Sequence, residues 1–221
     1  MIDIDNYITQ LIDLLKARFG SRLLYVGLQG SYLRGEATDH SDIDIMVVLD
    51  DLRVADLDNY RAIIQGMDHY DRSCGFICGK DELLKWNPLE ICHLLNTTKD
   101  YYGNLSSCVP EYSKLDVRNF CKMSVNNIYH EICHRYIHAS KEKNIAALPG
   151  TYKGVFFILQ NLYYLTSGKF ITRKMELLPL LTGNNYEVLK RSLELADCAI
   201  YDFDDSFKLL LTWCQEVIRL L

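Results

Sequence analysis

An apolar run, Leu23–Leu28, leads into a Gly30-Ser31 pair, and after ten intervening residues a second apolar run opens on Asp42-Ile43-Asp44 and continues to Leu49. In a β-strand successive side chains alternate between faces. Asp42 and Asp44 therefore share one face, while Ile43 and Ile45 point into a core. Neighbouring carboxylates repel each other unless a cation lies between them. Hard oxygen donors of this kind suit Mg²⁺, which is commonly held by one or two carboxylates together with substrate phosphates. A Gly-Ser turn beside them can offer backbone N–H groups and a hydroxyl to those phosphates. The pattern predicts two strands with a site for a metal-bound nucleoside triphosphate at their shared end. A loop whose polar residues merely cap strand ends would not explain two carboxylates on one face of an otherwise apolar segment.

The arrangement Gly30-Ser31-x10-Asp42-x-Asp44 resembles the nucleotidyltransferase superfamily that includes DNA polymerase β. The wider stretch, Gly30-Ser31-x-x-Arg34-Gly35-x-Ala37 and then Ser41-Asp42-x-Asp44, is most similar to its small bacterial branch of minimal and aminoglycoside nucleotidyltransferases. The resemblance implies an α+β chain: an N-terminal α/β catalytic domain with a small mixed sheet, then a C-terminal helical bundle that closes over the nucleotide and binds the acceptor. It implies Mg²⁺, with ATP or another NTP as co-substrate, a small hydroxylated acceptor that is aminoglycoside-like by analogy, and a homodimer. Asp42 and Asp44 take the metal-binding and catalytic role, and Gly30 and Ser31 hold the phosphates. Arg34 either neutralises the triphosphate or is a solvated loop arginine. Ser41 lies in the same loop and most simply orients it. Lys153 either grips the triphosphate or is a solvated lysine at a helix start. Members usually carry a third carboxylate on the next strand, but here that run is Cys74-Gly75-Phe76-Ile77-Cys78. Asp71, Glu90 and Glu131 are the substitutes, Glu131 by analogy with a base supplied from the helical domain. The departure keeps two further readings open: a protein adenylyltransferase, and a nucleotide-binding regulator or inactive relative.

Composition narrows the classes. With 221 residues and a net charge of −5, the chain lacks the basic excess of a dedicated nucleic-acid binder. The N-terminus starts acidic, with no apolar leader, and no run is long and apolar enough to span a bilayer, so a cytoplasmic location is expected. Eight cysteines are scattered without a CxxC pair, which fits reduced, mostly buried thiols.

Hydrophobic periodicity predicts a helix over 4–18, strands over 23–28 and 43–49, a helix over 54–66, a strand over 73–78, a helical turn over 81–86 and a fourth strand over 89–95. Residues 96–113 read as a linker or crossing loop. Four long helical patterns follow, near 114–139, 151–167, 184–198 and 203–220, with a shorter one near 173–181. Asp116, Thr151 and Asp202 serve as start signals, and Gly168 and Gly183 as stops. The expected domains are 1–110 and 111–221. Trp86, Tyr101, Tyr102 and Tyr152 read as packing residues, and Lys169, Arg173 and Lys174 as a solvated face.

His130-Glu131-Ile132-Cys133-His134 also matches the HExxH pattern of zinc proteases, and His138 continues that face. No suitably spaced third ligand follows, so a structural or adventitious histidine face is the better reading than a hydrolase.

Overall fold

The computed structural model describes residues 2–197 and 200–221. Cys198, and with it the end of the expected 184–198 helix, lies outside the described residues. The chain forms two units, Met1–Tyr112 and Ser113–Leu221.

In the first unit, α1 (Ile4–Phe19) starts at Asp3, whose carboxylate accepts the Asn6 N–H at 3.1 Å. Strand β1 (Leu23–Leu28) follows, then the one-turn helix α2 (Gly30–Arg34), strand β2 (Ile43–Leu49), helix α3 (Val54–Gln65) and strand β3 (Ser73–Gly79). The short helix α4 (Lys80–Leu84), helix α5 (Pro88–Asn96) and strand β4 (Lys99–Tyr102) complete the unit. The sheet order is β3-β2-β1-β4, with β2 parallel to β3 and the other pairs antiparallel. This is the expected small mixed sheet.

Alternation along β2 builds both layers. Ile43, Ile45, Val47 and Leu49 join Ile8, Leu11 and Leu15 of α1 in one core. Met46 and Val48 join Leu83 of α4, Ile91 of α5, Tyr25 and Leu105 in a second core on the opposite face. Asp44 belongs to the register of Met46 and Val48, so it lies on the α5 side of the sheet.

Two expectations fail here. Residues 89–95 are helix, not strand: Pro88 occupies the first turn, and the Asn87 side chain caps it by accepting the Leu89 N–H. Both features favour helix initiation over an apolar strand. The fourth strand instead lies within the expected linker, at the polar edge segment Lys99–Tyr102.

The second unit consists of α6 (Lys114–His138), α7 (Lys141–Ser167), α8 (Lys174–Leu177), α9 (Gly183–Asp197) and α10 (Phe203–Leu220). Cys121, Val125, Ile128 and Ile132 recur at helical spacing on α6 and meet Val155, Phe156 and Leu159 of α7 and Trp213 of α10. Ser113 caps α6, with Asp116 reciprocating from the third position. Asp202 caps α10 and Gly168 ends α7, as expected.

Helix α7 starts ten residues earlier than Thr151 and runs through Pro149. Proline removes the N–H that would bond to the carbonyl four residues back. That carbonyl, Ile145 O, instead accepts the Tyr201 hydroxyl at 2.5 Å. Thr151 is therefore interior, where its hydroxyl accepts from the Arg135 guanidinium at 2.8 Å. Gly183, expected as a stop, opens α9.

The buried Tyr152 hydroxyl donates to Ser206 O at 2.7 Å, and the Ser192 hydroxyl donates to Tyr152 O at 3.0 Å. Tyr152→Phe removes a fully buried hydrogen bond to a carbonyl that keeps its own helical partner, and should cost about 1–1.5 kcal/mol in urea unfolding. Tyr201→Phe exposes its carbonyl to water instead and should cost under about 1 kcal/mol. Equal losses would contradict this account of the helix.

Candidate functional site

The end of the β1–β2 pair shapes the site. The ladder continues past β1, with the Gln29 N–H donating to Asp44 O at 2.8 Å. The chain then turns sharply into α2, with Gly30 at φ +70°. A Cβ built on Gly30 would lie 1.8 Å from Asp44 Oδ2. Glycine is thus required twice, for the left-handed backbone and for the space that the Asp44 carboxylate fills. Ser31 lies in the first turn of α2, where N–H groups have no intrahelical acceptor.

Asp42 stands exposed immediately before β2, and Asp44 is half-buried in its second position. Burial is the main cause that raises the Asp44 pKa, and the Asp42 charge raises it further. A hydrogen bond from the Cys74 thiol and attraction to Arg34 oppose the rise. Cys74 is the β3 residue in register with Asp44, so it occupies the position where a third acid was expected. Arg34 makes an ion pair with Glu36 at 2.8 Å.

Among the described residues no three Asp, Glu, His or Cys side chains are grouped closely enough to hold a metal ion. The two aspartates still fit a hard divalent cation. Their mutual repulsion is what such an ion relieves, and phosphate and water oxygens complete its shell.

The other expected site residues are dispersed. Ser41 is committed to its own loop: its hydroxyl accepts the Thr38 N–H at 2.9 Å. Asp71 is exposed in the turn before β3, and Glu90 accepts a hydrogen bond from the Trp86 indole. Glu131 and Lys153 belong to the helical unit. Glu131 is ion-paired with Arg135 on α6, and Lys153 is an exposed mid-helix residue of α7, not a helix start. Of the aromatic residues, Tyr152 is fully buried. Trp86 stacks on Phe76 with ring centroids 6.2 Å apart. Tyr102 lies under the Lys16 ammonium at 4.5 Å, and Tyr101 donates to Asp5.

Sequence reasoning missed Cys74 as the Asp44 neighbour and missed His93 altogether. His93 lies on α5, on the Asp44 side of the sheet, and its pKa is pushed down to about 4, first by burial and then by the Arg34 charge. It is therefore neutral at physiological pH. Parallel pairing of the second and third strands would have pointed to Cys74. His93 had no signal while its segment read as a strand.

The nucleotidyltransferase domain family matches residues 8–87, most of the first unit. Residues 8–87 are a nucleotidyltransferase domain. A Methanocaldococcus jannaschii protein provisionally named a protein adenylyltransferase is 30% identical over 60 residues, which cover 27% of this chain and 41% of that protein. The crystal structure of spectinomycin adenyltransferase from Enterococcus faecialis, with ATP and spectinomycin, matches at a TM-score of 0.60 and 13% identity. The match covers 97% of this chain and 99% of that one. At that identity the likeness is one of fold. The order of the two units, a nucleotidyltransferase domain and then a helical unit, is the one expected.

Two outcomes follow from the Gly30–Asp44 contact. Gly30→Ala must displace the Asp44 carboxylate and strain a left-handed backbone position, and should cost about 1–3 kcal/mol in urea unfolding. Asp44 also costs stability when no metal is bound. Its folded pKa is raised above the unfolded value, so the folded state holds the proton more tightly and stability falls as pH rises through these values. Asp44→Asn should therefore raise the thermal midpoint at neutral pH without metal. A lowered midpoint would contradict the assigned environment.

Proposed function

We propose that this chain transfers a nucleoside monophosphate, AMP from ATP, to a hydroxyl of a small molecule and releases pyrophosphate. The observation that carries the reading is the Asp42–Asp44 pair against the Gly30-Ser31 turn within a nucleotidyltransferase domain. In this reaction the acceptor oxygen attacks the α-phosphorus and the bond to the bridging oxygen of pyrophosphate breaks. Positioning and charge neutralisation supply most of the acceleration.

In this reading Asp42 and Asp44 hold Mg²⁺, which when bound supplies positive charge to the triphosphate and the attacking oxygen. The first-turn N–H groups of α2 and the Ser31 hydroxyl donate to phosphate oxygens, and Arg34 adds a cation that Glu36 orients. Ser41 shapes the loop that delivers Asp42 and acts on the nucleotide only through that loop. Lys153 is kept as a second phosphate ligand from the helical unit. Glu131 is kept as the base, a role that requires its ion pair with Arg135 to open.

The fold likeness to spectinomycin adenyltransferase supports a small hydroxylated acceptor. A second reading, transfer to a protein side chain, is favoured by the name of the Methanocaldococcus jannaschii relative. Among the described residues no helix is long and apolar enough to cross a membrane, and seven cysteines are free, in keeping with a reducing compartment.

The test is pyrophosphate release from ATP and Mg²⁺ across a panel of aminocyclitols, sugars and candidate proteins. Asp42→Asn and Asp44→Asn should each lower the rate about 10²–10³-fold. Glu131→Gln should lower kcat with KM for ATP unchanged. ATP binding that requires both aspartates, with no turnover on any acceptor, would instead establish a nucleotide-binding regulator.

A further inference from the structure

Helix α6 carries a second constellation that nucleotidyl transfer does not use. His130, His134 and His138 recur at every fourth residue and are all exposed. Side chains at that spacing lie one above another on a helix. The ring centroids of His134 and His138 are 4.7 Å apart, and those of His130 and His134 are 6.0 Å apart. Two imidazoles sharing one tetrahedral or octahedral ion at metal–nitrogen distances of about 2.0–2.1 Å have centroids about 5 Å apart. The lower pair already meets that spacing, whereas the pair within the HExxH pattern does not.

The flanking residues are committed elsewhere. Ile132 and Cys133 pack toward the bundle core. Glu131 is ion-paired with Arg135, whose guanidinium also donates to Thr151. No third Asp, Glu, His or Cys among the described residues completes a cage. An ion held here would keep open positions for water.

We propose that His134 and His138 form a two-nitrogen surface chelate for a borderline divalent transition-metal ion of the Zn²⁺, Ni²⁺ or Cu²⁺ class. Imidazole donors favour these ions over Mg²⁺, which the carboxylate pair of the first unit would take. The site has no hydrolytic role, because no glutamate stands between His134 and His138 as it does in the HExxH pattern. The HExxH match thus marks a metal-binding helix face whose working pair is one turn further on than the pattern suggests.

The experiment is a calorimetric titration of the untagged, full chain with Ni²⁺ in excess Mg²⁺, with helicity checked by circular dichroism. About one equivalent should bind. His134→Gln and His138→Gln should each weaken binding at least tenfold, His130→Gln by less than threefold, and Glu131→Gln not measurably. Absence of saturable binding would overturn the proposal. So would binding that survives His138→Gln, which would place the ion on thiols or carboxylates, or on His130 and His134.

Discussion

The whole candidate site depends on one close approach. The Asp44 carboxylate fills the space that a side chain at position 30 would take. That contact fixes the turn after β1 and brings the first turn of α2, with its unpaired N–H groups and Ser31, against β2 beside Asp44. It is an arrangement only glycine permits, because the backbone there is left-handed as well as crowded. Around it the sheet supplies rigidity: β2 is central, paired on both sides, and buried along six of its seven residues. Asp44 is the one position of that strand that is not fully buried, which is how a hydrophobic strand presents a charge.

The electrostatics of the pair follow from that placement. Partial burial and a like charge both hold protons on Asp44, while the Cys74 thiol and Arg34 act the other way. A bound cation would tip the balance toward the ionised form of both carboxylates. The missing acid is therefore less damaging to cation binding than to proton transfer. Two carboxylates and a triphosphate can satisfy a magnesium-like ion, but no carboxylate lies in register where Cys74 stands. The register position beside Asp44 therefore offers a thiol in place of a carboxylate base.

Much of this is readable from particular residues. Strong apolar runs and short-range caps identify β1, β2, α1 and α10 correctly, because burial and local signals agree there. Strand β3 and helix α3 are also found by their apolar pattern, although β3 is only partly buried and α3 buries only Asp56. The reading fails where one local signal carries two meanings. Residues 81–86 read as a helical turn and 89–95 as a strand, yet Asn87 and Pro88 between them start α5. The helix expected to start at Thr151 extends back to Lys141 through Pro149, and Tyr201, far along the chain, satisfies the carbonyl that the proline frees. Such a long-range compensation has no local signature. Lys99–Tyr102 is polar because it is an edge strand, and polarity makes it read as a loop. In the site, the Asp42–Asp44 pair and Gly30-Ser31 are visible because their chemistry is carried by spacing. Cys74 and His93 depend on tertiary placement, so they are not.

The most direct test of the central claim is a crystal structure of the chain with Mn²⁺ and a non-hydrolysable ATP analogue, with the metal located by anomalous scattering. The account predicts a metal ion in direct contact, at about 2.0–2.3 Å, with carboxylate oxygens of both Asp42 and Asp44, and a phosphate within hydrogen-bonding distance of Ser31. An ion elsewhere, or a triphosphate bound away from Gly30 and Ser31, would contradict it.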